Sequence, residues 1–530
     1  VSDTVTGGAV DLRSNGTMTI SDNVSASTGT LKLQNFGGDF VLNSPAQISN
    51  AAAFLIDIDS AGAVNLADGS LITSLGTGLI DIDAVNNIAL ANLNTSGEVQ
   101  ITTSAGAITD NTGSEGALIT ADTAALRAAT GIGAAGAGDI DQAVGTIAAD
   151  TTAGDLYLSQ FGLVLEVDTV DGLVGITAGG NIDLNVGAMN TYQDIEATGA
   201  ASTISVLNAG DLSIGAGVIT NGGQIDILSN NNLFLTGSSL VDTTSAAIVN
   251  VIANADSIGS GSVYQTEGGV VDSHGGYLTV EGFLVYLSDL RSVGGTVAVT
   301  ASGSTILDNT ISGGVGGELP LITADEAVLS ALDGIGVAGI GDIDTAVGTL
   351  SASTTNNDIV ISNTGALIIG DVAPLSGVTS TNGAVTVSAS SPLTVSSNVT
   401  AAGTVTLTAT DSPAATDDLA INAGVTVEST GADVVMTAGD DFTMDATSQI
   451  NAATTIGIFV DPSAGDPDAV GGTVDLVGGI SAPGGTTVTG GDDDDTFNIL
   501  PSSTSTIAVV GGDPTLPAVP GDTLNIDLSG

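Results

Sequence analysis

The chain contains no cysteine, no tryptophan, a single histidine and only four basic residues, and each scarcity removes a class of protein. Without cysteine there are no disulfides, no thiolate metal sites and no thiol catalysis. Small secreted domains commonly depend on disulfides, so a chain without them must draw its stability from an extended apolar core. The lone His274, in Asp272-Ser273-His274-Gly275-Gly276, reads as a surface corner residue. One imidazole and no thiol argue against both a zinc centre and a Ser-His-Asp triad. Glycine-rich stretches such as Gly131-Ile132-Gly133 lack the lysine of a phosphate loop. Aromatics make up 3% of the 530 residues, so Val, Ile, Leu and Ala must fill the interior. No apolar run approaches the ~20 residues that span a bilayer, so membrane insertion is not expected.

The basic residues are Arg13, Lys32, Arg127 and Arg291, against 59 acidic ones, for a formal net charge of −55. Such a surface repels phosphate backbones and anionic membranes, which excludes nucleic acid as a partner. The partners it implies are cations, above all Ca²⁺, whose hard charge suits carboxylate and carbonyl oxygens. Charge also keeps long β-structures soluble and apart, which is the plainer reading of the same excess. The chain starts at Val1 and ends at Gly530 in mid-pattern, and is expected to be a mature or excised portion of something longer.

What the chain has in quantity is a short phrase: Gly, any residue, an aliphatic, any residue, an aliphatic. It occurs as Gly8-Ala9-Val10-Asp11-Leu12, Gly29-Thr30-Leu31-Lys32-Leu33, Gly62-Ala63-Val64-Asn65-Leu66 and Gly97-Glu98-Val99-Gln100-Ile101. It returns with Gly295, Gly383, Gly403 and Gly472 in the lead. Alternation at every second residue places aliphatics on one face of a strand and small polar residues on the other. The leading glycine allows a corner that a side chain would obstruct. Repeated strand and corner over this distance predict a solenoid: an all-β, right-handed parallel β-helix with roughly 20–24 residues per coil and about 22–26 coils.

A longer repeat overlies the short one. Leu118-Ile119-Thr120-Ala121-Asp122 returns as Leu321-Ile322-Thr323-Ala324-Asp325, an offset of 203 residues, and Gly138-Asp139-Ile140-Asp141 returns as Gly341-Asp342-Ile343-Asp344. Upstream, 97–111 resembles 295–309 at an offset of 198. The expected organisation is therefore β-helix coils over 1–96, one module copy over 97–294, a second over 295–485, and Gly/Asp-rich terminal turns over 486–530. The segment Asp122–Ala129 could form a turn or two of helix, but its flanking strand phrases favour an extended conformation. Gly313–Gly317 reads as a long corner loop.

Chemistry-bearing residues are few. Gly490-Gly491-Asp492-Asp493-Asp494-Asp495-Thr496-Phe497 resembles the calcium-binding nonapeptide of repeat-in-toxin proteins, with Asp493 where that pattern has glycine. A single motif supplies half a site, and Gly511-Gly512-Asp513 with Asp522 could supply the other half. The candidate Ca²⁺ ligands are thus Asp492, Asp493, Asp494, Asp495, Asp513 and Asp522, against a solvated acidic corner as the alternative. Asp-Ile-Asp triplets at 57–59, 81–83, 139–141 and 342–344 put two carboxylates on one strand face with Ile inward. Paired carboxylates can hydrolyse glycosides, but these are serial, lack nearby basic or aromatic residues, and read first as an outward polar face. Cation coordination across neighbouring coils is their more plausible functional use. No catalytic residue is expected.

The tandem Gly-x-Val-x-Leu coils, the ~200-residue module and the Gly-Gly-Asp-Asp tail together resemble large bacterial surface exoproteins of the filamentous-haemagglutinin-like β-helix adhesin type. That resemblance implies secretion, display at the cell surface, and a role as an adhesive stalk or filament segment. It offers no catalytic residues to carry over, and no enzymatic activity is expected; the partners open to such a chain are its own copies, along or end to end, and a cell-surface or glycan receptor. Two alternatives remain: a calcium-dependent surface-layer, sheath or filament subunit, and a β-helix polysaccharide lyase or hydrolase.

Overall fold

The computed structural model describes all residues except 311–318, 340, 413–415, 463–470, 492, 513–520 and 529–530. The fold is an all-β parallel β-solenoid of about 21 turns with ~23 residues per coil. The coil length matches the sequence expectation, and the number of turns falls just below it. The chain divides into two compact units, Val1–Gly261 and Ser262–Gly530.

In the first unit, each early coil contributes three short strands, and each strand pairs in parallel with its counterpart one coil on. Val10–Ser14 pairs with Leu31–Asn35, which pairs with Ile56–Ser60, then Ile80–Ala84, then Glu98–Thr103. Met18–Ile20, Phe40–Leu42, Val64–Leu66 and Ile88–Leu90 stack likewise, as do Val24–Ala26, Gln47–Asn50, Leu71–Ser74 and Asn92–Asn94. Because the register is held, inward positions fall on inward positions. Leu31, Ile56, Ile80 and Val99 form one fully buried ladder, and Leu33, Ile58, Ile82 and Ile101 form another. Each such side chain contributes roughly 1.5–3 kcal/mol on leaving water. The second unit repeats the plan, with Val385–Ala389, Val405–Ala409, Val434–Ala438, Ile456–Val460 and Thr486–Thr489 in one stack. Phe442 and Phe497 sit fully buried on either side of Val474 in another.

Several of the phrase-leading glycines are required by proximity between coils. A Cβ on Gly62 would lie 2.3 Å from the Gly38 carbonyl oxygen, and one on Gly97 would lie 2.5 Å from that of Thr77. Neither glycine has a positive φ, so the constraint is the backbone of the coil beneath.

Corners have their own chemistry. The backbone N–H that opens a strand commonly donates to an Asp or Asn side chain of the adjoining coil. Ala63 N donates to Asp39 Oδ1 (2.9 Å), Ala107 N to Asn87 Oδ1 (3.0 Å) and Asn181 N to Asp155 Oδ1 (2.8 Å). Ala384 N donates to Asp358 Oδ1 (2.7 Å) and Thr455 N to Asp433 Oδ1 (2.9 Å). These bonds satisfy groups that a bend would otherwise orphan. Part of the acidic excess is therefore structural.

The segment Asp122–Ala129 is extended, as expected, lying almost wholly within the strand Ile119–Ala128, and its second copy lies in Ile322–Ala331. The corner Gly313–Gly317 lies outside the described residues. Each module also carries an antiparallel hairpin. In the first, Thr169–Val170 pairs with Leu173–Val174 around Asp171 (φ 48°) and Gly172 (φ 69°). Val170 and Leu173 pack over Ala125 and Ala148, closing an outward face that small residues leave flat. Arg127 holds the hairpin tip through Asp171 Oδ2 (2.9 Å) and the Asp171 carbonyl (2.7 Å). In the second, Asp371–Val372 pairs with Leu375–Ser376, and Ser351 Oγ accepts from Val372 N (2.9 Å).

Candidate metal centre

Among the described residues, three gatherings of carboxylates bear on cation binding. The terminal turns hold the residues singled out from the sequence. Asp495 is buried; its Oδ1 accepts from Gly472 N (2.8 Å) and its Oδ2 from Gly491 N (2.9 Å). Asp522 stands one coil on and accepts from Asp495 N (3.1 Å). Both residues act as corner acceptors. Burial pushes the Asp495 carboxyl up to about 6, against the pull of those two N–H donors, with Asp522 and Asp493 adding repulsion. Asp493 and Asp494 are half-buried beside them, while Asp492 and Asp513 lie outside the described residues.

The second gathering comes from stacking two Asp-Ile-Asp triplets. Asp57 pairs in register with Asp81, and Asp59 with Asp83, while Ile58 and Ile82 point into the core as the alternation requires. Lys32, one coil before, reaches Asp57 at 2.5 Å and Asp59 at 3.6 Å, and Gln34 donates to Asp59 (2.6 Å). Asp81 and Asp83 receive no lysine. Burial first, then the charges of Asp83, Asp57, Asp59 and Asp171, push Asp81 up to about 7. Asp83 is raised as well, by burial and by Asp59 and Asp57.

The third gathering was not singled out as a cluster in the sequence. Asp139 and Asp141 flank the buried Ile140 at the start of the strand Ile140–Thr151, as the triplet predicts. The corner between Ala107–Asp110 and Ile119–Ala128 brings Glu115 over them. Leu118 N donates to the Asp141 carbonyl (2.8 Å), which pins that corner to the next coil. One carboxylate oxygen from each of Glu115, Asp139 and Asp141 lies within 4.8 Å of the others. This triad could hold a metal ion. Glu115 is exposed, Asp139 half-buried and Asp141 buried. Asp139 Oδ2 accepts a short hydrogen bond from Ser159 Oγ, and in the second module Asp342 Oδ2 accepts one from Ser362 Oγ. Burial raises Asp141 to about 6, with Asp139, Glu115 and Asp110 contributing repulsion.

The basic residues are engaged elsewhere: Arg13 with Asp11 (3.0 Å), Lys32 with Asp57, Arg127 with Asp171, and Arg291 with Asp289. His274 lies 3.3 Å from Asp272 at an exposed corner. In the second cluster Lys32 pairs with Asp57 and Asp59 and Arg127 acts on Asp83 from a distance, whereas the neighbours that act on Asp141 in the third are all acidic.

Fold and corners together define an all-β parallel β-solenoid with carboxylates at many of its corners. Compared with family models, curated proteins and solved structures, the chain matches none.

Proposed function

We propose that this chain is a structural and adhesive rod segment, a stalk or filament portion of a large bacterial surface protein displayed outside the cell. The observation that carries this reading is the use to which each unit puts its residues. Aliphatics are consumed by inter-coil ladders and many Asp and Asn side chains by corner bonds, an arrangement that extends a core lengthwise. The resemblance to haemagglutinin-like exoproteins supports the same role, including a receptor at a cell surface or on a glycan. Negative-stain imaging of the full chain tests it: slender particles are expected, singly or joined end to end, and compact particles would overturn it. Turnover of any member of a panel of acidic and neutral glycans would instead favour an enzyme.

A second reading, a subunit whose acidic faces are bridged by calcium, is favoured by the stacked Asp57, Asp59, Asp81 and Asp83. It expects lateral or end-to-end assemblies that disperse in chelator.

A further inference from the structure

We infer that Glu115, Asp139 and Asp141 bind a hard divalent cation of the Ca²⁺ kind, which pins the corner 111–118 to the adjoining coil. The proposal goes beyond the rod reading, which needs no ion.

Three observations converge on it. The first is reach. One carboxylate oxygen from each of the three residues lies within 4.8 Å of the others, close enough to share a single hard cation. The second is Asp141 itself. Its residue is 2% exposed, and its carboxylate accepts no hydrogen bond from the described residues, yet it faces Asp139 and Glu115. A buried carboxylate without a donor is costly unless something positive meets it. Its electrostatic neighbours are Asp139, Glu115 and Asp110, all of the same sign. The chain's basic residues are paired elsewhere, so the missing charge must come from solution.

The third is recurrence. Asp139-Ile140-Asp141 returns as Asp342-Ile343-Asp344, and in the sequence Glu115 returns as Glu318 at the same offset of 203. The serine bond to the first Asp is repeated as well, Ser159 to Asp139 and Ser362 to Asp342. Glu318 lies outside the described residues, so the proposed site is confined to the first module.

Corner carboxylates complete the coordination with backbone carbonyls or water, as calcium's six to eight ligands require. The role is structural: the ion joins a loop residue to a strand residue of the next coil, as Leu118 N already does to the Asp141 carbonyl.

The test uses the full chain, titrated with CaCl2 alone and with MgCl2 alone, and compares wild type with Asp141→Asn and Glu115→Gln. Equilibrium binding of ⁴⁵Ca²⁺ is expected to fall by one ion per chain in Asp141→Asn, and affinity at that site to weaken about tenfold in Glu115→Gln. Melting temperatures with and without calcium supply a second readout, because loss of side-chain packing alone would not depend on the ion. In chelator, Asp141→Asn melts at or above wild type, because a buried like charge is gone. In calcium the order reverses. Equal stoichiometry and affinity in all three proteins, or a melting order independent of calcium, would overturn the inference. Neither result bears on whether the particles are slender.

Discussion

Replacing Asp81 by asparagine removes one carboxylate from a stack of four while keeping its volume. Asp81 titrates near 7 instead of its ordinary 3.8, first because it is half-buried, then because Asp83, Asp57 and Asp59 face it and Asp171 adds to them. Lys32 compensates Asp57 and Asp59 but stands two coils away in register. A carboxyl that holds its proton more tightly folded than unfolded stabilises the native state as pH falls from 7 towards 4. Above 7 the ionised group imposes its full penalty. A rise of this size corresponds to about 4 kcal/mol at most. Partial exposure and salt screening reduce the expected effect to about 1–2 kcal/mol. Urea melts in chelator at pH 8 and pH 4 check it. Asp81→Asn should be the more stable protein at pH 8, and the advantage should vanish by pH 4. A variant that is neutral or weaker at pH 8 would refute the electrostatic reasoning.

Three further expectations concern the scaffold. Gly62→Ala should cost roughly 2–4 kcal/mol by chemical denaturation, because its Cβ meets the Gly38 carbonyl at 2.3 Å. Gly187→Ala, with nothing within 4 Å, should stay within about 0.5 kcal/mol of wild type. Asp39→Ala should lose about 1 kcal/mol by leaving Ala63 N without an acceptor, whereas Asp39→Asn should be tolerated in the same denaturation assay. Arg127→Ala should raise amide exchange across 169–174 about fivefold, the equivalent of about 1 kcal/mol for a half-exposed ion pair, and leave the coils unchanged.

Much of the scaffold was legible because Gly-x-Val-x-Leu encodes both the strand and its inward face. The leading glycines are legible as corner formers, and the fold adds that the obstruction is the carbonyl of a neighbouring coil, as at Gly62. The hairpin 169–174 carries a recognised turn signal, Asp171-Gly172 between Val170 and Leu173, but a short one. Its second copy has Ala373-Pro374 there, so comparing the modules would have hidden it. Asp139 and Asp141 were seen as a pair. Glu115 could not be joined to them from sequence, because it is 24 residues from Asp139 and meets it only through the winding of one coil. The corner bonds were also invisible, since their donor and acceptor are separated by a full turn whose length varies.

Those corner bonds run in a consistent sense through much of the chain. The acceptor at Asp39, Asn87, Asp155, Asp358 or Asp433 precedes its donor by 20–26 residues, so the earlier coil always presents the oxygen. A chain emerging N-terminus first therefore meets a finished edge at each such corner and can settle onto it without waiting for later sequence. At a few corners the sense inverts: Gly294 N, Asp417 N and Gly472 N donate to Asp325, Asp440 and Asp495, which come afterwards. Winding can proceed vectorially across corners of the first kind, whereas closure at these three must await residues still to emerge.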